Sequence, residues 1–186
     1  MEDKKIKSAL EIAMERIAGM PGLTKEELVE QKEREYQPRG DAIARRYFEG
    51  VLKERDLQTE LSKYRGEEGE IVKRAFLLAL KQSINLDSKS ITLKALDGIS
   101  AVEPIADLGE TKKKIEVVFD EFGQQLERKA PRYEVLEKER LQQLGISGSA
   151  VKPNLEESHA WQEELRQIQS EFDLKLTELK ENLPPR

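Results

Sequence analysis

The one histidine of the chain, His159, follows Glu156 by three residues. On a helix, Glu-x-x-His puts a carboxylate and an imidazole on one face, the pairing that di-iron carboxylate bundles use. Such centres take two of these motifs and two further glutamates, so a single histidine excludes one built within this chain. A second His159 could reach the metal only across a two-fold axis between copies. Without that axis, Glu156 and Glu157 read as a solvated first helical turn, where carboxylates favour the positive end of the dipole. The sequence assigns no metal ligand, no cofactor and no catalytic residue.

The remaining candidates for chemistry reduce in the same way. With 37 acidic residues no carboxylate pair stands out, and Glu67, Glu68 and Glu70 read as a solvated turn and helix start. The glycines are single punctuation marks, so no loop can cradle a phosphate. His159 opens a charged helix with no serine elbow near it, which removes a nucleophilic triad. Arg39-Gly40-Asp41 spells an integrin-recognition tripeptide, but Asp41 as a helix cap accounts for it. Arg45-Arg46-Tyr47-Phe48 mixes basic and aromatic residues as nucleic-acid binders do. Tyr47 falls on an apolar stripe, however, and Asp41 and Glu49 flank the arginines. The 32 basic and 37 acidic residues are interleaved to a net charge of −5, and nucleic acid is not expected as a partner.

No cysteine is present, so disulfides and thiolate chemistry are absent. The start, Met1-Glu2-Asp3-Lys4-Lys5, lacks the basic and apolar regions of a secretory signal. The longest apolar run, Ala75 to Leu80, is far short of the roughly 20 residues that span a bilayer. A cytoplasmic protein with no membrane contact is the expectation.

Leu, Ile, Val and Phe make up 48 of the 186 residues, enough to fold but not to fill a thick globule. Long amphipathic helices fit that balance. Ile6, Leu10, Ala13, Met14 and Ile17 predict a helix over Asp3–Ala18, stopped by Gly19 and Pro21-Gly22. Thr24-Lys25-Glu26-Glu27 is a capping box opening a second helix that should end before Pro38. Asp41 would cap a third, with its stripe running from Ile43 through Tyr47, Val51, Leu57 and Leu61 to Tyr64. Ile71–Lys81 is the most apolar stretch and should be the best-buried helix. Ile91–Leu96 alternates like a strand before Asp97-Gly98, predicting a small β-hairpin over about 90–103. The competing reading is a helix capped by Asp87 or Ser88 and ended by a left-handed Gly98.

Thr111–Leu144 then carries apolar residues at helical period, with a kink or break expected before Pro131. After a small-residue loop, Asn154 should cap a last helix to Leu183, antiparallel to the first. There Leu165, Ile168 and Phe172 recur as Leu176, Leu179 and Leu183 after eleven residues each, a period close to that of a straight helix.

The sequence therefore reads as mainly α, partly elongated, with a helical region 1–108 and a long helical hairpin 109–186 (111–144 and 154–183). The expected function is a non-enzymatic interaction or scaffold protein that self-associates or binds another helical protein. Trp161, Leu165, Ile168, Phe172, Leu176 and Leu179 are its expected contact residues. The alternative is a compact bundle that binds a small molecule or metal between the N-terminal helices, around Tyr47, Tyr64 and Phe76, with enzymatic activity open to it.

Overall fold

The computed structural model describes residues 24–105, 107–148 and 151–185. Among these the chain forms six α-helices and two 3-10 turns. The helix expected over Asp3–Ala18 lies outside the described residues.

Helix α1 (Lys25–Phe48) starts with the capping box that the sequence implies. The Glu27 N–H donates to Thr24 Oγ1 at 3.2 Å, and the Thr24 N–H donates to Glu27 Oε2 at 2.7 Å. The expected stop before Pro38 does not occur. The helix runs through Pro38, and Asp41 is an exposed mid-helix residue rather than a cap. Proline removes the N–H that would bond Arg34, a local cost that packing outweighs. That packing is against α3 (Gly66–Gln82), with Val72, Phe76 and Leu80 fully covered; the helix expected to be best buried is matched in this by the helix Lys89–Val102, which buries as many residues over a shorter length. α1 and α3 cross at Gly40, whose backbone lies directly on α3. A Cβ built there would sit 2.5 Å from the Val72 carbonyl oxygen and 2.8 Å from the Phe76 nitrogen.

The single third helix expected from Gly40 to Gly66 is instead divided. α1 stops at Phe48, Gly50 takes φ +78°, and a 3-10 turn (Glu54–Asp56) leads into the short α2 (Leu57–Leu61). The reversal turns Leu52, Leu57 and Leu61 into the core and leaves Val51 exposed. α4 (Lys89–Val102) replaces the β-hairpin expected at 90–103. Ser88 caps it by accepting the Ile91 N–H at 3.3 Å. Thr92, Ala95, Leu96 and Ile99 are buried at helical spacing. Gly98 does not end this helix. It makes room for Tyr47, whose ring carbon would lie 2.8 Å from an added Cβ. The Tyr47 hydroxyl donates to the Lys94 carbonyl at 2.8 Å, and burial pushes its pKa up to about 12.

α5 (Leu108–Gln143) and α6 (His159–Glu181) form the C-terminal helical hairpin. α5 passes Pro131 without ending and is about 54 Å long at 1.5 Å per residue. Asn154 caps not α6 but a 3-10 turn (Leu155–Glu157), accepting the Glu156 N–H at 3.1 Å. The main core joins both halves of the chain, since Leu108, Ile115, Phe119, Leu176 and Leu183 pack with Phe76, Leu96 and Ile99.

The glycine contacts give a graded expectation for urea unfolding. Gly40→Ala meets backbone that cannot swing aside and should cost about 3 kcal/mol, the upper range of overpacking. Gly98→Ala meets ends of side chains and should cost about 1 kcal/mol. Gly123→Ala, with open space around it, should stabilise by up to about 1 kcal/mol. Equal effects at Gly40 and Gly123 would contradict the close crossing.

Candidate functional site

Two features of the surface are built by the fold rather than by any one helix. The first is a groove of about 880 Å³. Val29, Lys32 and Glu33 of α1 form one wall, and Glu67, Glu70, Ile71, Lys73, Arg74 and Leu77 of α3 form the base. Glu103–Ile105 and the C-terminal Asn182, Pro184 and Pro185 close the far side. The tail holds its place because Leu183 is buried in the core. Lys81 Nζ donates to the carbonyls of Leu183 at 2.7 Å and Pro185 at 3.2 Å. Lys180 Nζ donates to the Ile84 carbonyl at 2.8 Å, and partial burial holds its pKa below the usual lysine value.

Charges on the groove rim are mostly paired with one another. Lys32 meets Glu67 at 2.5 Å, Lys73 meets Glu103 at 3.5 Å, and Arg74 bonds Glu33. Lys32 holds the Glu67 carboxyl below its ordinary range. Paired rim charges over Ile71, Leu77, Ile105 and Pro184 can take an apolar side-chain row. They offer no acid and base poised over a reacting atom.

The second feature is the distal half of the hairpin. From Lys129 onward, the side-chain bonds of α5 stay within the hairpin. Glu164 accepts from Lys129 and from the Tyr133 hydroxyl, and the Tyr133 ring lies 5.4 Å from that of Trp161. Glu137 is buried beside Ser158 and takes a forked bond from Arg140, at 2.6–3.0 Å. Lys129 first, then Tyr133, keeps the Glu164 carboxyl below its ordinary range, and Arg140, then Ser158, does the same for Glu137. This arm is two helices thick, so its outer sides have nothing to pack on. Val135 is 57%, Leu136 43%, Leu144 63% and Ile146 49% exposed.

No family model, curated protein or solved structure matches this chain.

The residues picked out by the sequence are distributed as follows. Ile168, Phe172 and Leu176 are buried against α5 and the main core, with Phe172 edge-on to Phe122 at 5.5 Å. Trp161, Leu165 and Leu179 are half-buried on the same inner side. The stripe is thus covered largely by the chain itself. Tyr47 and Phe76 are core side chains, and Tyr64 lines only a shallow depression with Gln58, Leu61 and Val102. Glu156 and His159 sit on separate elements, divided by extended Ser158, and share no helical face. Among the described residues no three His, Asp or Glu side chains cluster as a metal would require. Arg39 lies 4.7 Å over the Tyr36 ring and Gly40 is buried, so the tripeptide is no exposed loop. No described helix is long and apolar enough to cross a membrane. Sequence reading missed the groove because its pairs join residues 35 and 41 apart, such as Lys32–Glu67 and Glu33–Arg74.

Acid should open the arm before it unfolds the rest. Both Glu137 and Glu164 have lowered folded values, so their contribution is complete above the ordinary 4.5 and is lost as pH falls through the lowered values. Trp161 is the only tryptophan and reports the site alone. Its emission should shift to the red on acidification ahead of the loss of helical circular dichroism, and Glu137→Gln with Glu164→Gln should flatten that shift. Emission that changes only with global unfolding would count against it.

Proposed function

We propose that this chain is a non-enzymatic helical interaction protein that self-associates through the distal arm of its α5–α6 hairpin. The observation that carries this reading is the exposure of Leu136, Leu144 and Ile146 towards the end of the arm. Apolar surface that nothing in the chain covers usually marks a contact. A second copy is the partner favoured by the charges. Arg132 and Glu139 are exposed, lie on the same side of α5 as Leu136 and are of opposite sign, and an antiparallel copy related by a two-fold axis sets each against the other. The inner stripe from Trp161 to Leu179 serves this function indirectly, by fixing the arm to the rest of the molecule. The cysteine-free composition is in keeping with a reducing, cytoplasmic setting.

Sedimentation velocity over a hundredfold concentration range tests the reading. The natural chain should shift from monomer towards dimer as concentration rises. Leu136→Asp with Leu144→Asp should weaken the dimer at least about a hundredfold, at about 1.5–3 kcal/mol for each leucine removed from a buried contact. A monomer at every concentration, or a dimer indifferent to both substitutions, would refute the arm as the contact.

A further inference from the structure

We propose that Asn182–Pro185 is a strap latched across α3 by Lys81, and that releasing the latch joins the depressions on either side of Pro185 into one cleft. Two observations lead to this device, one at the ends of α3 and α6 and one on the surface that Pro185 covers.

In both helices a lysine is the next-to-last residue, a polar residue caps the end and an aliphatic residue follows, as Lys81-Gln82-Ser83-Ile84 and Lys180-Glu181-Asn182-Leu183. The lysines are exchanged between the two ends. Lys81 Nζ donates to the Leu183 carbonyl at 2.7 Å and Lys180 Nζ to the Ile84 carbonyl at 2.8 Å, so each takes the carbonyl just past the other helix's cap. The Ile84 and Leu183 side chains are both buried in the core. Helix C-termini carry orphan carbonyls and partial negative charge, so two of them meeting disfavour each other unless cations lie between them. The exchange supplies one cation from each side.

What the two lysines hold is not the same. Lys180 ties α6 to the segment after α3, whereas Lys81 reaches on to the Pro185 carbonyl at 3.2 Å. Prolines have no N–H to donate, so Pro184 and Pro185 can be tied down only through their carbonyls. Pro185 lines the groove of about 880 Å³ and also a second depression of about 300 Å³, formed with Gln37, Ala75 and Leu78. Glu33, Ile71 and Arg74 belong to both, which makes Pro185 the partition between them. With the strap lifted, the two become one cleft along α1 and α3 with Ile71 in its floor. The latch therefore sets how long an apolar segment this face can take. It is independent of self-association through the arm, which uses α5.

The absence of cysteine allows a single thiol reporter in the full chain. Leu77 is 3% exposed and lines the groove with Pro184 and Pro185, so Leu77→Cys should react slowly with a neutral thiol reagent. Adding Lys81→Met removes the charged donor and should speed that reaction at least about tenfold, the effect of losing a hydrogen bond from a charged group. Ala95→Cys, in the core under α4, should stay protected in both backgrounds. Unchanged labelling at position 77 after Lys81→Met would overturn the proposal. So would an equal acceleration at position 95, which would mean general unfolding, or a thiol at position 77 that already reacts as fast as one at exposed position 51 while Lys81 is in place.

Discussion

The fold depends on one close approach, that of the α1 backbone onto α3 at Gly40. With a hydrogen in place of a side chain there, the Val72 carbonyl and the Phe76 amide nitrogen come within the space a Cβ would fill. Side chains on either side of the crossing can then interlock. Ile43, Ala44 and Tyr47 from α1 meet Val72, Phe76 and Leu80 from α3, and all of them are buried. α4 is added by the same device, its Gly98 receiving the Tyr47 ring and Leu80. Close-packed interiors tolerate little change in volume, so two glycines set the spacing of three helices. The groove lies beside this crossing, lined by the first turns of α1, by α3 and by the C-terminal tail.

The hairpin obeys a different constraint. Near the head it has a third layer to pack on, and Ile115, Val118, Phe119, Ile168 and Phe172 are buried. Further out it has only its partner helix and the 3-10 turn that precedes it, and the inner seam turns polar and aromatic, with Tyr133, Glu137, Glu164 and Trp161 in place of leucines. A two-helix layer cannot bury both sides of either helix. Leu136, at helical period in the sequence, therefore falls outside the seam, and Leu144, two turns after buried Glu137, is exposed because α5 ends there. That geometry links the thinness of the arm to its proposed use as a contact surface.

Much of the architecture was legible from residues alone. The Thr24–Glu27 capping box, the burial of Ile71–Lys81 and the long C-terminal hairpin follow from local spacing and capping chemistry. The departures share one cause, which is tertiary packing overriding a local stop signal. Pro38 and Pro131 read as helix ends, and Gly40 and Gly98 as punctuation, until the neighbours that need them are known. The divided helix after Phe48 did leave a trace, because Val51 and Leu57 are six residues apart, a spacing that places them on different helical faces. The alternation at Ile91–Leu96 fits a strand, yet Thr92, Ala95, Leu96 and Ile99 fit a helix equally well, and only the core they face decides between them. The groove was not legible at all, since its walls come from residues 29–33, 67–77, 103–105 and 182–185.

The central claim is that contacts between molecules form on the distal arm while the head keeps one packing. Amide hydrogen exchange, measured at low and high protein concentration, tests it most directly. The account predicts that added protection at high concentration is confined to the outer half of α5 and the loop after it, about residues 130–148, with α1, α3 and α4 unchanged. Added protection centred on the groove residues of α1 and α3, or none anywhere at high concentration, would contradict it.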